Sequence, residues 1–143
     1  MAHIHRNALL PYSVEQMFQL VNKVDDYPLY LEGCAEAIVH EQNDTAMKAT
    51  LKLERRGIKL AFTTSNIIDA PKSIILNLDE GPFTSFEGRW FFQYLADDAC
   101  KVMLDLQFQL SGKLTSVAAA KLLDSVGNNM VDAMVKRAKQ IYG

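Results

Sequence analysis

An α+β fold is expected for this chain: a curved antiparallel sheet of about seven strands around one long C-terminal helix, with two short helices after the first strand. Two segments alternate between apolar and polar side chains, which is the period of a strand with one buried face. The first places on one face Phe86, Gly88, Trp90, Phe92 and Tyr94. The second places on one face Val102, Leu104, Leu106, Phe108 and Leu110. A long amphipathic segment without proline follows, from Leu114 to Tyr142.

The elements at the start of the chain follow from periodicity and capping. Residues 3–10 alternate as a first strand. Ser13 precedes an apolar helical pattern and Gln16 stands three residues later, which is the spacing of a capping box. The segment from Asp26 to Glu32 is expected to be a brief turn of helix that Gly33 ends.

Turn residues divide the next part of the chain into six strands, and the short links between them predict antiparallel hairpins. The predicted strands are 35–43, 46–55, 58–69, 73–79, 85–95 and 100–110. The long helix is expected to bury one broad stripe against this sheet. The stripe comprises Val117, Ala119, Leu122, Leu123, Val126, Met130, Ala133, Met134 and Ile141.

Length and composition are those of an ordinary globular protein, and 143 residues suit one domain spanning 1–143. The formal net charge of −2 argues against binding nucleic acid through the overall field, although a local basic patch is compatible with it. Cys34 and Cys100 lie far apart without metal-ligand spacing, which predicts free thiols in a reducing cytosol. The N-terminus lacks a signal-peptide pattern, and no apolar run approaches about 18 residues. We therefore expect a cytoplasmic protein whose membrane contact is at most peripheral.

Two motifs resemble those of helix-grip domains, the START-like superfamily of polyketide cyclases and lipid-transport proteins. The stretch from Val24 to Cys34 is similar to V-x-x-Y-P-x-F-L-P-x-C, with Tyr30 where phenylalanine is common and Glu32 in place of the second proline. The stretch from Gly81 to Phe92 is similar to G-P-F-x-x-L-x-G-x-W-x-F. Together they resemble the branch that contains coenzyme Q-binding proteins and bacterial ribosome-association toxins, over essentially the full chain.

A twisted sheet that curls around a helix leaves an apolar cavity wherever its inward side chains do not fill the space. The predicted ligand contacts are Phe62, Phe86, Trp90, Phe92, Leu106, Phe108, Met130 and Met134. The predicted cavity entrance consists of Tyr27, Pro28, Leu31, Gly81, Pro82 and Phe83. A quinone with an isoprenoid tail suits such a space, because apolar burial stabilises by about 25 cal/mol per Å² and methionine adapts to an irregular tail. The alternative is that these side chains pack only on one another and that both entrance segments are rigid turns.

Charged residues offer a second site and little support for catalysis. The third strand and the turn after it carry a basic strip that consists of Lys48, Lys52, Arg55, Arg56 and Lys59. The strip is a candidate contact for ribosomal RNA phosphates, and its alternative is a solvated strand face. No apolar strand face carries a paired acid and base, so we predict no catalytic residues. The three histidines lack metal-ligand spacing, so we predict no metal site.

The sequence thus favours a non-enzymatic protein that binds ubiquinone or a similar isoprenoid lipid as a carried ligand and requires no cofactor. On this interpretation it supports the delivery or use of respiratory quinone. The alternative, which the same resemblance implies, is a ribosome-association toxin that binds the large ribosomal subunit and inhibits the initiation of translation. The two roles do not exclude each other.

Overall fold

The computed structural model describes residues 2–112 and 115–143 and confirms the expected fold. The elements are, in order, β1 (Ala2–Leu10), α1 (Val14–Asn22), a 3₁₀ helix (Val24–Leu29), β2 (Cys34–Gln42), β3 (Ala46–Arg55), β4 (Ile58–Asp69), β5 (Ser73–Glu80), β6 (Phe83–Ala96), β7 (Ala99–Leu110) and α2 (Thr115–Tyr142). Seven strands form one sheet in the order β1-β7-β6-β5-β4-β3-β2, and every neighbouring pair is antiparallel. Leu114, where the sequence predicts the long helix to begin, lies outside the described residues.

The predicted capping box at the start of α1 is present. The backbone N–H of Gln16 donates to Ser13 Oγ at 3.1 Å, and the N–H of Ser13 donates to Gln16 Oε1 at 3.0 Å. The second helix was predicted from Asp26 to Glu32. In the structure it is the 3₁₀ helix, which begins two residues and ends three residues earlier than predicted. It ends early because the backbone N–H groups of Tyr30 and Leu31 both turn back to the Tyr27 carbonyl.

Hairpin turns and bulges shape the sheet. Arg56 and Gly57 join β3 to β4 with positive φ angles of 53° and 81°, the pair of left-handed residues that a type I′ hairpin requires. Register shifts interrupt the β2/β3, β4/β5 and β6/β7 pairings, and bulges of this kind bend a sheet. Tyr94 follows the buried alternation of β6 in sequence, yet it is 58% exposed, because it lies beside the last of these shifts at the end of the strand.

Helix α2 lies across the sheet and covers its apolar face. The buried residues of α2 include Leu122, Leu123, Val126, Val131, Met134 and Ala138. Two residues of the predicted stripe are misplaced, since Val117 is 59% exposed and Ile141 is 50% exposed. A helix of 28 residues is about 42 Å long, whereas seven strands about 4.8 Å apart span about 29 Å, so α2 is longer than the sheet is wide.

Close approach of α2 to the sheet depends on a glycine. A Cβ atom at Gly127 would lie 2.6 Å from Cδ1 of Ile4 in β1, well inside van der Waals contact. At its C-terminal end α2 also meets α1, where the Tyr142 hydroxyl donates to the carbonyl of Gln16 at 3.0 Å. No helix among the described residues is long and apolar enough to cross a membrane.

Candidate functional site

An internal cavity of about 70 Å³ lies between the sheet and α2. Its wall is almost entirely apolar. The wall is formed by residues of α1, the 3₁₀ helix, the five consecutive strands from β3 to β7, and α2. The wall consists of Val21, Asn22, Val24, Tyr27, Ala49, Leu51, Leu53, Phe62, Thr64, Asn66, Ile74, Leu76, Phe86, Trp90, Leu104, Leu106, Leu123, Val126, Gly127 and Met130.

Five of the eight predicted ligand contacts form part of this wall, namely Phe62, Phe86, Trp90, Leu106 and Met130. They come from β4, β6, β7 and α2, so the fold brings together side chains that are as far apart as 68 positions in sequence. The single tryptophan is 2% exposed, which places an intrinsic fluorophore directly at the cavity.

The other three predicted contacts lie in the packed core beside the cavity. The ring of Phe92 lies nearly parallel to that of Trp90, with centroids 6.4 Å apart, and it packs edge to face with Phe18, with centroids 5.6 Å apart. The ring of Phe108 meets Phe83 edge to face at 6.3 Å. The sulfur of Met134 accepts a hydrogen bond from the Tyr30 hydroxyl at 2.9 Å. These side chains therefore support the wall instead of forming it.

Three polar side chains in the wall were not predicted. Thr64 and Asn66, on β4, are only 8% and 5% exposed, and the Thr64 hydroxyl donates to Asn66 Oδ1 at 2.8 Å. Asn22 is the last residue of α1, and its Oδ1 is buried with no hydrogen-bond partner among the described residues. Alternation along β4 from Phe62 places Thr64 and Asn66 on the buried face, so this signal was available. No comparable signal marks Asn22.

The first predicted entrance segment contacts the cavity through one residue. Tyr27 lies in the wall and is buried, and its hydroxyl donates to the carbonyl of Val21. Burial, and then the neighbouring Tyr30, hold the pKa of Tyr27 well above its ordinary value, so the phenol stays neutral. Leu31 is also buried and Pro28 is half-buried, but neither forms part of the wall.

The second predicted entrance segment contacts the wall from outside. Gly81 and Pro82 are exposed, whereas the ring of Phe83 is half-buried against two wall residues, 5.5 Å from Phe62 and 5.1 Å from Phe86. A Cβ atom at Gly81 would lie 2.8 Å from the Cβ of Phe62, so the loop lies tightly on β4. Opening of either segment for a ligand stays a prediction.

Four of the five residues in the basic strip pair with carboxylates. The pairs, with their N···O distances, are Lys48–Asp79 at 3.1 Å, Lys52–Glu36 at 3.2 Å, Arg55–Glu32 at 3.2 Å and Lys59–Glu54 at 4.0 Å. Among the described residues, Arg56 alone of the strip has no such partner, and it is exposed in the β3–β4 turn. The strip is therefore close to electrically neutral, which resembles a solvated strand face more than a strong phosphate-binding surface.

The wall has little capacity for acid–base chemistry. Its one ionisable side chain among the described residues is Tyr27, whose raised pKa keeps it protonated. In residues 2–112 and 115–143, no group of three or more His, Cys, Asp or Glu side chains is arranged to hold a metal ion. The wall is thus mostly apolar, and its polar side chains are a few amides and hydroxyls.

Known proteins resemble this chain along its whole length. It is 43% identical over 143 residues to a Vibrio cholerae protein named ribosome association toxin RatA, covering 100% of this chain and 99% of that protein. It is 22% identical over 137 residues to the mitochondrial coenzyme Q-binding protein coq10 of Schizosaccharomyces pombe, covering 92% and 83%.

A solved structure shares the fold. A START superfamily protein from Mycobacterium smegmatis superposes with a TM-score of 0.79 at 19% identity, covering 97% of this chain and 98% of that one. A family model matches residues 10–135, which include both motifs and the whole cavity wall. The chain belongs to the family described as polyketide cyclase / dehydrase and lipid transport.

Proposed function

We propose that the protein binds an amphipathic lipid of the isoprenoid-quinone type in the cavity between the sheet and α2. The observation that carries this proposal is a wall of apolar side chains, drawn from every layer of the fold, without a charged group among the described residues. The lipid-transport description of the family and the coenzyme Q-binding name of the fission yeast relative support the same ligand class.

The cavity has to enlarge before such a ligand enters. Its volume is about 70 Å³, whereas a cavity of about 150 Å³ holds one benzene and pockets for drug-sized ligands reach about 300–1,000 Å³. Unbranched Met130 in the wall, and the two predicted entrance segments that pack against the wall, are best suited to move. The ligand-bound form should therefore differ from this structure in the positions of Tyr27 and Phe83.

Filling the cavity tests the proposal. Ala49 faces the cavity from β3, so Ala49→Leu puts a larger side chain into the space that a ligand would use. Ala61→Leu makes the same change on the neighbouring strand, where Ala61 is exposed, and serves as the matched control. Titration with a short-tailed ubiquinone should quench Trp90 fluorescence in the wild type and in Ala61→Leu, and at least about 10-fold more weakly in Ala49→Leu. Equal quenching in all three proteins would place the ligand elsewhere.

Association with the large ribosomal subunit is a second proposal, supported by the name of the 43% identical relative. This role would place the protein in the cytoplasm. Because four cations of the basic strip are paired, we expect Arg56 to contribute more to RNA binding than any of them. Co-sedimentation with purified large subunits at low salt should weaken more for Arg56→Ala than for Lys52→Ala. Failure of the wild type to co-sediment would refute this second role.

A non-enzymatic role without a required cofactor is also part of the proposal. The family description includes cyclases, so membership alone does not decide between binding and catalysis. The wall supports binding, because general acid–base catalysis needs a titratable group within hydrogen-bond reach of the substrate and Tyr27 is committed to the Val21 carbonyl. A Tyr27→Phe variant should therefore bind the short-tailed quinone as well as the wild type does.

A further inference from the structure

Two hydrogen-bonding groups of the cavity wall lack a strong partner in the part of the chain that the structure describes. Among the described residues, the Nδ2 of Asn66 has the Met47 sulfur, at 4.0 Å, as its acceptor, and the Oδ1 of the same amide accepts from the Thr64 hydroxyl. The Oδ1 of Asn22 is a buried acceptor without a partner among the described residues. Both residues lie in the wall of the same cavity. A guest therefore meets one donor and one acceptor in otherwise apolar surroundings.

The two groups place different demands on a ligand. The Asn66 amide N–H can donate to a carbonyl or to a hydroxyl oxygen, so it does not distinguish between them. In the orientation of the Asn22 amide in this structure, the unpaired atom is Oδ1, which can only accept, so a hydroxyl satisfies it and a carbonyl leaves it unpaired. Leaving a buried polar atom unpaired is costly, whereas pairing it adds affinity, so discrimination depends on Asn22.

We infer that the cavity prefers a lipid whose polar end carries a hydroxyl group, and hence the quinol form of an isoprenoid quinone over the oxidised form. This inference rests on the proposed lipid-binding function. A quinol hydroxyl donates its proton to Asn22 Oδ1, and a quinol oxygen accepts from Asn66 Nδ2. A fully substituted quinone has no donor, so it makes the second bond only. The protein on this account is a carrier of the reduced lipid.

Capture from vesicles tests the preference with one matched ligand pair. Phosphatidylcholine vesicles are loaded with decylubiquinol or with decylubiquinone, without oxygen for the quinol, and the ligand that leaves with the protein is quantified after flotation. Because the two forms partition differently into vesicles, the informative quantity is the effect of a substitution on each form. Asn22→Leu, which has nearly the same shape without the acceptor, should lower quinol capture about 3- to 10-fold and leave quinone capture unchanged or higher. Asn66→Leu should lower the capture of both forms.

The outcomes separate this inference from the proposed function. If Asn22→Leu lowered the capture of quinol and quinone equally, the quinol preference would be overturned and lipid binding would stand. A buried water that paired with Asn22 in either complex would give this result. Capture of neither form by the wild type would overturn lipid binding itself and the preference with it. Should Asn22→Leu fail to fold, Asn22→Ala removes the same acceptor and gives the same comparison.

Discussion

Gly33 fixes the junction between the 3₁₀ helix and β2 against α2, and its replacement should cost more than backbone strain alone. Gly33 has a φ of +92°, and a Cβ atom there would lie 2.7 Å from Cγ2 of Val126. Gly57, in the β3–β4 turn, has a similar φ of +81° but no atom within 4 Å of its Cβ position. The two glycines therefore differ in packing far more than in backbone conformation.

The expected magnitudes follow from these two terms. A left-handed backbone costs an L-residue about 1–2 kcal/mol, and overpacking a core costs about 1–3 kcal/mol. Gly57→Ala should thus lower the free energy of unfolding by about 1–2 kcal/mol, and Gly33→Ala by about 2–5 kcal/mol. Val126 cannot turn aside cheaply, because it is buried and a β-branched side chain is stiff at χ1 in a helix.

Urea unfolding followed by circular dichroism measures both losses, with equal m-values as the check that the unfolded state is unchanged. The double variant Gly33→Ala/Val126→Ala should lose less than the sum of its single variants, since removal of the valine methyl groups relieves the contact. Equal losses for Gly33→Ala and Gly57→Ala, or strict additivity in the double variant, would refute the packing argument.

Further predictions concern the core and its titrating groups. Trp90→Ala should lower the free energy of unfolding by about 3–5 kcal/mol, as for other buried aromatic side chains, and a loss below about 1 kcal/mol would show that Trp90 is not tightly packed. Burial raises the pKa of Cys34 to about 11 and also raises that of Cys100, so both thiols should react slowly with a disulfide reagent at pH 8 and rapidly in urea; fast native reaction would contradict their burial. The Cys34 thiol has a pKa near 9.0 in the unfolded chain, and burial raises the pKa values of Tyr27 and Tyr30 as well. Above about pH 9 the native state therefore keeps protons that the unfolded state loses. The free energy of unfolding should fall as the pH rises through this range. Urea titrations at pH 8 and pH 10 measure that fall, which should be smaller in Cys34→Ser, and an unchanged midpoint in the wild type would contradict it.

Local sequence patterns were sufficient for most of the fold. The alternation in β6 and β7 identifies the buried face because successive side chains of a strand point to opposite sides, and it fails only at Tyr94, beside a bulge. The capping box of Ser13 and Gln16 is a contact within one turn of helix, so its residues suffice to predict it.

The division between wall and core could not be predicted in this way. Periodicity indicates that Phe92 and Phe108 face inward, but not that they lie in the packed core beside the cavity whereas Phe86 and Trp90 form part of its wall. That difference depends on how the sheet bends and where α2 crosses it, which are properties of the assembled fold. The buried Oδ1 of Asn22 is a consequence of the same assembly.

The neutral character of the basic strip also depends on strand pairing. Lys52 lies directly opposite Glu36 in the register of β2 and β3, beyond a register shift between Cys34 and Glu36. Register across a bulge sets which charges meet, and the sequence of either strand alone does not contain that information.

The most direct test of the lipid-binding account is mass spectrometry of organic-solvent extracts from the gently purified protein, produced in quinone-containing cells. The wild type, Ala49→Leu and Ala61→Leu are compared at equal protein concentration. Lipid binding in the cavity predicts an isoprenoid-tailed lipid at near-stoichiometric amounts in the wild type and Ala61→Leu, and strong depletion in Ala49→Leu. No such lipid in any extract, or equal amounts in all three, would contradict the account.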